Sequence, residues 1–135
     1  MRRERCFAKA LGSLRDVFDF LDAFVGEHGL DGNAAFYLHL VTEEVFTNMV
    51  KYNTMSSHDI RIAIDKVADG VALELTDFDV EPFDPGGAAE VDVNAPLERR
   101  RPGGLGLHLV RSMTDELAYD YQDRQLKVTA YKRFA

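Results

Sequence analysis

Between residues 60 and 75 the side chains alternate: Ile60, Ile62 and Ile64 are separated by Arg61, Ala63 and Asp65, and Val71, Leu73 and Leu75 resume the pattern after Asp69-Gly70. A period of two places one set of side chains on one face of a strand. The stretch therefore reads as an antiparallel hairpin turning at Asp69-Gly70, with a single apolar face that must be covered. The preceding text supplies the cover. Leu38, Val41, Val45, Met49 and Tyr52 recur at helical spacing, which predicts the longest helix of the chain from about Ala34, capped by Asn33, to about Tyr52.

A shorter helix is expected before it, because Leu14, Val17, Phe18, Leu21, Phe24 and Val25 share one helical face between Ser13, a candidate N-cap, and Gly29, a stop. Arg5 to Ala10 reads as a short edge strand. Glu81 to Arg101 has no period and reads as a lid, since a structureless loop of that length needs a function in a compact domain. A third helix is expected from Gly104 or Leu105 to about Thr114. Leu117 to Tyr121 and Leu126 to Tyr131 then form a second hairpin around Gln122 to Gln125. Hairpin-linked strands without strict strand–helix alternation predict an α+β two-layer sandwich, a mostly antiparallel mixed sheet covered on one face by three helices.

Composition narrows the function. A chain of 135 residues with 46% hydrophobic residues suits one core, so residues 1–135 are read as a single domain. A net charge of −7 repels nucleic acid. Cys6 stands alone and no Cys/His cluster has zinc spacing, which suits a reducing compartment. Met1-Arg2-Arg3-Glu4-Arg5 is basic like the start of a signal peptide, but no continuous apolar run follows. No segment reaches the roughly 18 apolar residues of a membrane span. The expectation is a cytoplasmic protein with no membrane and no nucleic-acid partner.

Two stretches carry chemistry. On the long helix, with Val41 as the centre of the apolar stripe, Asn48 falls about 20° and Glu44 about 60° to one side, while Glu43 falls about 160° away. Glu44 and Asn48 thus share a partly shielded face, and Glu43 faces solvent. An amide oxygen can ligate magnesium, and a carboxylate one turn earlier can take a proton from a hydroxyl approaching a γ-phosphate. The plain alternative is two polar residues at a stripe margin. The second stretch is Pro102-Gly103-Gly104-Leu105-Gly106-Leu107-His108-Leu109-Val110, whose bare backbone N–H groups lead into a helix N-terminus and can cradle phosphate. No Lys-Ser or Lys-Thr pair follows, so it is not a Walker A loop, and a glycine cluster can equally be just the start of a helix. Asp77 and Asp79 can each accept a hydrogen bond from an exocyclic amine of a base, or cap turns. Phe83 plugs the core before Asp84-Pro85 bends the chain. Arg99, Arg100 and Arg101 can brace a phosphate or form a solvated basic run.

In this order, Glu44 with Asn48, then Asp77 to Pro85 ending in Phe-Asp-Pro, then Gly103 to Arg111, the motifs resemble the N, G1 and G2 boxes of the GHKL, or histidine kinase-like, ATPases. Within them the chain most resembles the stand-alone bacterial serine/threonine kinases that act as anti-sigma factors. The likeness spans nearly the whole chain. It implies a Bergerat-type ATP-binding fold with ATP and Mg2+ as cofactors. By the resemblance, Asn48 ligands the metal, Glu44 is the general base, and Asp77 or Asp79 reads adenine. Phe83, Gly103, Gly104, Leu105, Gly106 and Leu107 complete the nucleotide site, and one of Arg99, Arg100 and Arg101, with Arg101 as the candidate taken, is the catalytic arginine. The implied partners are a sigma factor and an anti-anti-sigma antagonist that is phosphorylated in a partner switch, and the implied assembly is a homodimer. The chain departs from the family at Asp77-Phe78-Asp79-Val80, with Val80 where a glycine is usual, and in lacking a Gly-x-Asn turn in the last hairpin.

Val80 motivates a second reading, a non-catalytic nucleotide-binding or nucleotide-free regulatory module that captures a partner. A third, the ATP-binding half of a sensor kinase, needs a phosphoacceptor histidine on a dimerisation helix. His28, His39, His58 and His108 do not have that setting.

Overall fold

The computed structural model describes residues 2–52, 58–80 and 110–134. They form β1 (Arg2–Phe7), a single 3-10 turn (Leu11–Ser13), α1 (Leu14–His28), α2 (Gly32–Tyr52), β2 (Ile60–Val67), β3 (Gly70–Phe78), a helical turn at 110–113, β4 (Glu116–Gln122) and β5 (Gln125–Arg133). The strands make one sheet in the order β1-β2-β3-β5-β4, and every described pairing is antiparallel. The architecture is the expected α+β sandwich. The described sheet has no parallel pair, so "mixed" does not apply to it.

The alternating residues meet across the ladder as their period requires. Ile62 lies opposite Leu75 and Ile64 opposite Leu73, while Leu75 and Leu73 face Val128 and Ala130 of β5. This stripe is buried under Val17, Leu21 and Phe24 of α1 and Leu38, Val41, Val45, Phe46 and Met49 of α2. Each side chain so buried contributes about 1.5–3 kcal/mol, which is why pattern alone specifies which sheet face is covered.

Several local expectations are corrected. The first strand is Arg2–Phe7, not Arg5 to Ala10; it pairs residue for residue with Asp65 to Ile60. Beyond Phe7 the chain turns, because the Ala10 N–H and the Ser13 hydroxyl both donate to the Ala8 carbonyl at 2.8 Å. That hydroxyl is therefore spent on Ala8 and does not cap α1. Asp31, not Asn33, caps α2: its Oδ1 accepts the Ala34 N–H at 2.9 Å. Gly29 does stop α1. It is left-handed (φ 61), its N–H reaches the Gly26 carbonyl and the Leu30 N–H reaches that of Val25, the paired closure that ends many helices at glycine.

Both hairpin turns depart from the glycine rule. Val67 pairs with Gly70, so the first turn is Ala68-Asp69 and Gly70 already belongs to β3. In the second, Asp123 (φ 52) and Arg124 (φ 63) adopt the left-handed pair of a mirror-image turn without any glycine. Arg124 is held by Asp79, with Nε and a terminal nitrogen 2.8 and 2.7 Å from Oδ1, and its carbonyl accepts the Val80 N–H at 2.8 Å.

Candidate functional site

Glu44 and Asn48 sit on α2 where the sheet-facing stripe meets solvent. Val41, Val45 and Met49 are buried, Glu44 and Asn48 are half-buried and Glu43 is exposed, as the helical wheel requires. The Asn48 side chain is oriented by its own helix: its Nδ2 donates to the Glu44 carbonyl at 2.7 Å. That leaves Oδ1 as the acceptor of the side chain. This oxygen is buried and has no hydrogen-bond partner among the described residues. An unsatisfied buried acceptor costs about 1–3 kcal/mol, so the position is favourable when a cation or donor arrives. An amide oxygen in that condition suits Mg2+, which takes few protein oxygens alongside water and phosphate.

The two aspartates that the sequence leaves equivalent are placed in opposite environments. Asp77 shares the parity of Leu73 and Leu75, so its side chain lies on the helix-covered face at the end of β3, the strand on which α2 packs. Its side chain is 2% exposed and forms an ion pair with Lys9, whose side chain is 4% exposed, from the connection between β1 and α1. Asp79 lies just past the strand, about half exposed, and its carboxylate holds Arg124. Its φ of 56 is the left-handed conformation that glycine adopts freely and aspartate tolerates better than most residues. The glycine-like position is thus Asp79 and not Val80. Asp77-Phe78-Asp79 then has the spacing of Asp-x-Gly.

Sequence reasoning missed Lys9. A lone lysine in a connection carries no periodic signal, and only the fold brings it to a residue 68 positions away. Phe83, Arg99, Arg100, Arg101, Gly103, Gly104, Leu105, Gly106 and Leu107 lie outside the described residues.

At its C-terminal side, the segment carrying the glycines ends in the helical turn at 110–113, and this turn is tied to α2. The Tyr37 hydroxyl is 3.1 Å from Oγ1 of Thr114, which donates to the Val110 carbonyl at 2.6 Å. Burial pushes the Tyr37 phenol up from 10.0 to about 12. Since the folded value is raised, the associated stability is complete below pH 10 and is lost as pH climbs toward 12. The loss is on the order of 2–3 kcal/mol. In urea titrations Tyr37→Phe should therefore be less stable than wild type by about 1 kcal/mol near pH 8 and lose less stability above pH 10. Parallel curves for the two proteins across that range would contradict this account of Tyr37.

The profile of the histidine kinase-like ATPase domain matches residues 7–132. The chain belongs to that family. The family implies ATP as ligand, and Glu44 and Asn48 fall within the matched span. Among solved structures, the chain is similar to one from the SiaB–SiaC complex of Pseudomonas aeruginosa, with 16% identity and a TM-score of 0.68 over 96% of this chain and 88% of that one. At that identity the likeness establishes the fold. A comparison with curated proteins gives no match. Among the described residues no helix is long and apolar enough to cross a membrane.

Proposed function

We propose that the protein is an ATP-dependent protein serine/threonine kinase that acts as an anti-sigma factor, phosphorylating a small antagonist in a partner switch. The observation that carries this reading is the buried Oδ1 of Asn48, without a hydrogen-bond partner among the described residues, one turn after Glu44 on the central helix of a histidine kinase-like ATPase fold. Asn48 would hold Mg2+, which supplies charge neutralisation to the triphosphate when bound. Glu44 takes the proton of the acceptor hydroxyl as that oxygen bonds to the γ-phosphorus and the bond to the bridging oxygen breaks, releasing ADP. Asp77 accepts the hydrogen bond of the adenine amine; its burial on the core face and the left-handed Asp79 two residues on favour it over Asp79. The residues from Gly103 to Leu107, with Arg101, hold the phosphates in this reading.

The structural relative was solved in a two-protein complex, which supports a protein partner here. A sigma factor, a phosphorylatable antagonist, a homodimer and a cytoplasmic location belong to the same proposal. Labelled phosphate should pass from ATP to an antagonist co-purified from the native cell, and only with magnesium present; no transfer to any co-purified protein would sink the kinase reading.

A second reading is a regulatory module that captures its partner without catalysis. It is favoured by one observation: both candidate base-reading aspartates already hold a cation, Asp77 that of Lys9 and Asp79 that of Arg124. Calorimetry with Mg-ATP separates the kinase from a nucleotide-free module, which gives no binding heat, and the labelled-phosphate transfer separates it from a module that binds nucleotide without catalysis.

A further inference from the structure

The connection between β1 and α1 sends one lysine into the interior, and its destination is unusual. The side chains of Lys9 and Asp77 are both almost wholly buried, and the ammonium contacts Oδ1 of the carboxylate. Burying such a pair is seldom a net gain in stability, since each ion forfeits several kcal/mol of hydration. Apolar residues of similar volume would serve packing as well. The carboxylate concerned also lies two residues before the left-handed Asp79, on the helix-covered face of β3.

We infer that Lys9 is a positioning residue for base recognition: its ammonium holds Asp77 as a carboxylate, so that the site accepts a 6-amino purine and rejects a 6-oxo purine. This rests on the reading of Asp77 as the base-reading residue. A carboxylate held by an ammonium has only acceptor oxygens, with lone pairs for several donors at once. It can therefore keep Lys9 and also take a hydrogen bond from the 6-amino group of adenine. Opposite a 6-oxo group it sets two acceptors against each other in a shielded place, which is strongly unfavourable. Without the ammonium, a buried carboxylate is relieved by taking up a proton. A neutral carboxyl has both a donor and an acceptor. It would then satisfy either kind of purine, and discrimination would go.

The test is calorimetric binding of Mg-ATP and Mg-ITP to the full chain, with thermal melts to verify folding. ITP differs from ATP at the purine edge that Asp77 would read. Wild type should favour ATP by about 100-fold. The ratio should fall by about tenfold or more in Lys9→Met and in Lys9→Gln, the latter keeping a neutral donor against Oδ1, and should persist in Lys9→Arg. A folded Lys9→Gln or Lys9→Met protein with the wild-type ratio overturns the inference. So does a parallel loss of both affinities, which marks a packing role alone. A wild-type chain that binds ATP but prefers neither purine also overturns it. If wild type binds neither nucleotide, the nucleotide-site reading itself fails.

Discussion

Asn48→Ala is expected to weaken magnesium-dependent ATP binding by about 100-fold, whereas Glu44→Gln leaves binding within a few-fold of wild type and lowers phosphoryl transfer by about 100- to 10,000-fold. The two side chains lie one turn apart on α2, yet they are asked for different things. Asn48 presents a buried oxygen without a hydrogen-bond partner among the described residues, and its amide nitrogen is already used on the Glu44 carbonyl. Alanine removes the whole amide, ligand oxygen included, and keeps only the Cβ as a methyl. Glu44 receives the Asn48 amide through its backbone carbonyl, and its half-buried carboxylate serves proton transfer in the proposed mechanism. Glutamine keeps its size and hydrogen-bonding reach but cannot accept the proton. Isothermal titration with Mg-ATP and single-turnover transfer from labelled ATP measure the two effects separately. If Glu44→Gln transferred phosphate at the wild-type rate, the base assignment would fail; if Asn48→Ala bound Mg-ATP normally, the metal assignment would fail.

Gly70→Ala should destabilise the protein by about 3 kcal/mol, lowering its melting temperature by about 10 °C. A methyl at Gly70 would lie 1.9 Å from the Lys132 carbonyl oxygen, 2.8 Å from that carbonyl carbon and 2.9 Å from the Arg133 Cα. All three atoms are backbone, in a strand that β3 pairs with from end to end, so no rotamer can make room. The neighbourhood is held tightly as well. The Asp69 carboxylate accepts from the Tyr131 hydroxyl and, at 3.1 Å, from Arg133 Nε, while the Asp69 carbonyl accepts the Phe134 N–H at 2.8 Å. Gly26 provides the opposite case. It lies inside α1, where a methyl would meet nothing within 4 Å, so Gly26→Ala should stabilise by roughly 0.5–1 kcal/mol through helix propensity alone. Differential scanning calorimetry on the two variants tests the pair. Equal melting temperatures would show that close approach to β5 is not why residue 70 is glycine.

Gly70 shows how a correct element can be read for the wrong local reason. An Asp-Gly pair between alternating runs is a hairpin signal, and the hairpin exists, but the turn is Ala68-Asp69. The glycine answers to β5, more than 60 residues away in the chain, and distant contacts leave no mark on local spacing. β1 escaped its proper bounds for a related reason. Arg2, Arg3, Glu4 and Arg5 show no apolar alternation, because an edge strand keeps most of its side chains in water and benefits from charge against edge-to-edge association. At the site, the helical wheel separated Glu44 from Glu43 correctly, since both lie on one regular helix and the angle between them is a property of that helix. Asp77 and Asp79 could not be separated in the same way. They flank the end of a strand, where parity, a left-handed residue and two cations from remote segments decide which is buried.

The amino-acid order alone determined the α+β class, the two hairpins, the long helix and the face of it that bears Glu44 and Asn48, because these follow from periods of two and 3.6 residues that need no knowledge of neighbours. Only the tertiary structure decided that Lys9 meets Asp77, that Asp79 is spent on Arg124, that Tyr37 reaches Thr114 and that Gly70 lies against Lys132. These contacts join residues from 45 to 77 positions apart, and their free energy depends on distance and desolvation in the folded chain, quantities that exist only once the sheet has been assembled.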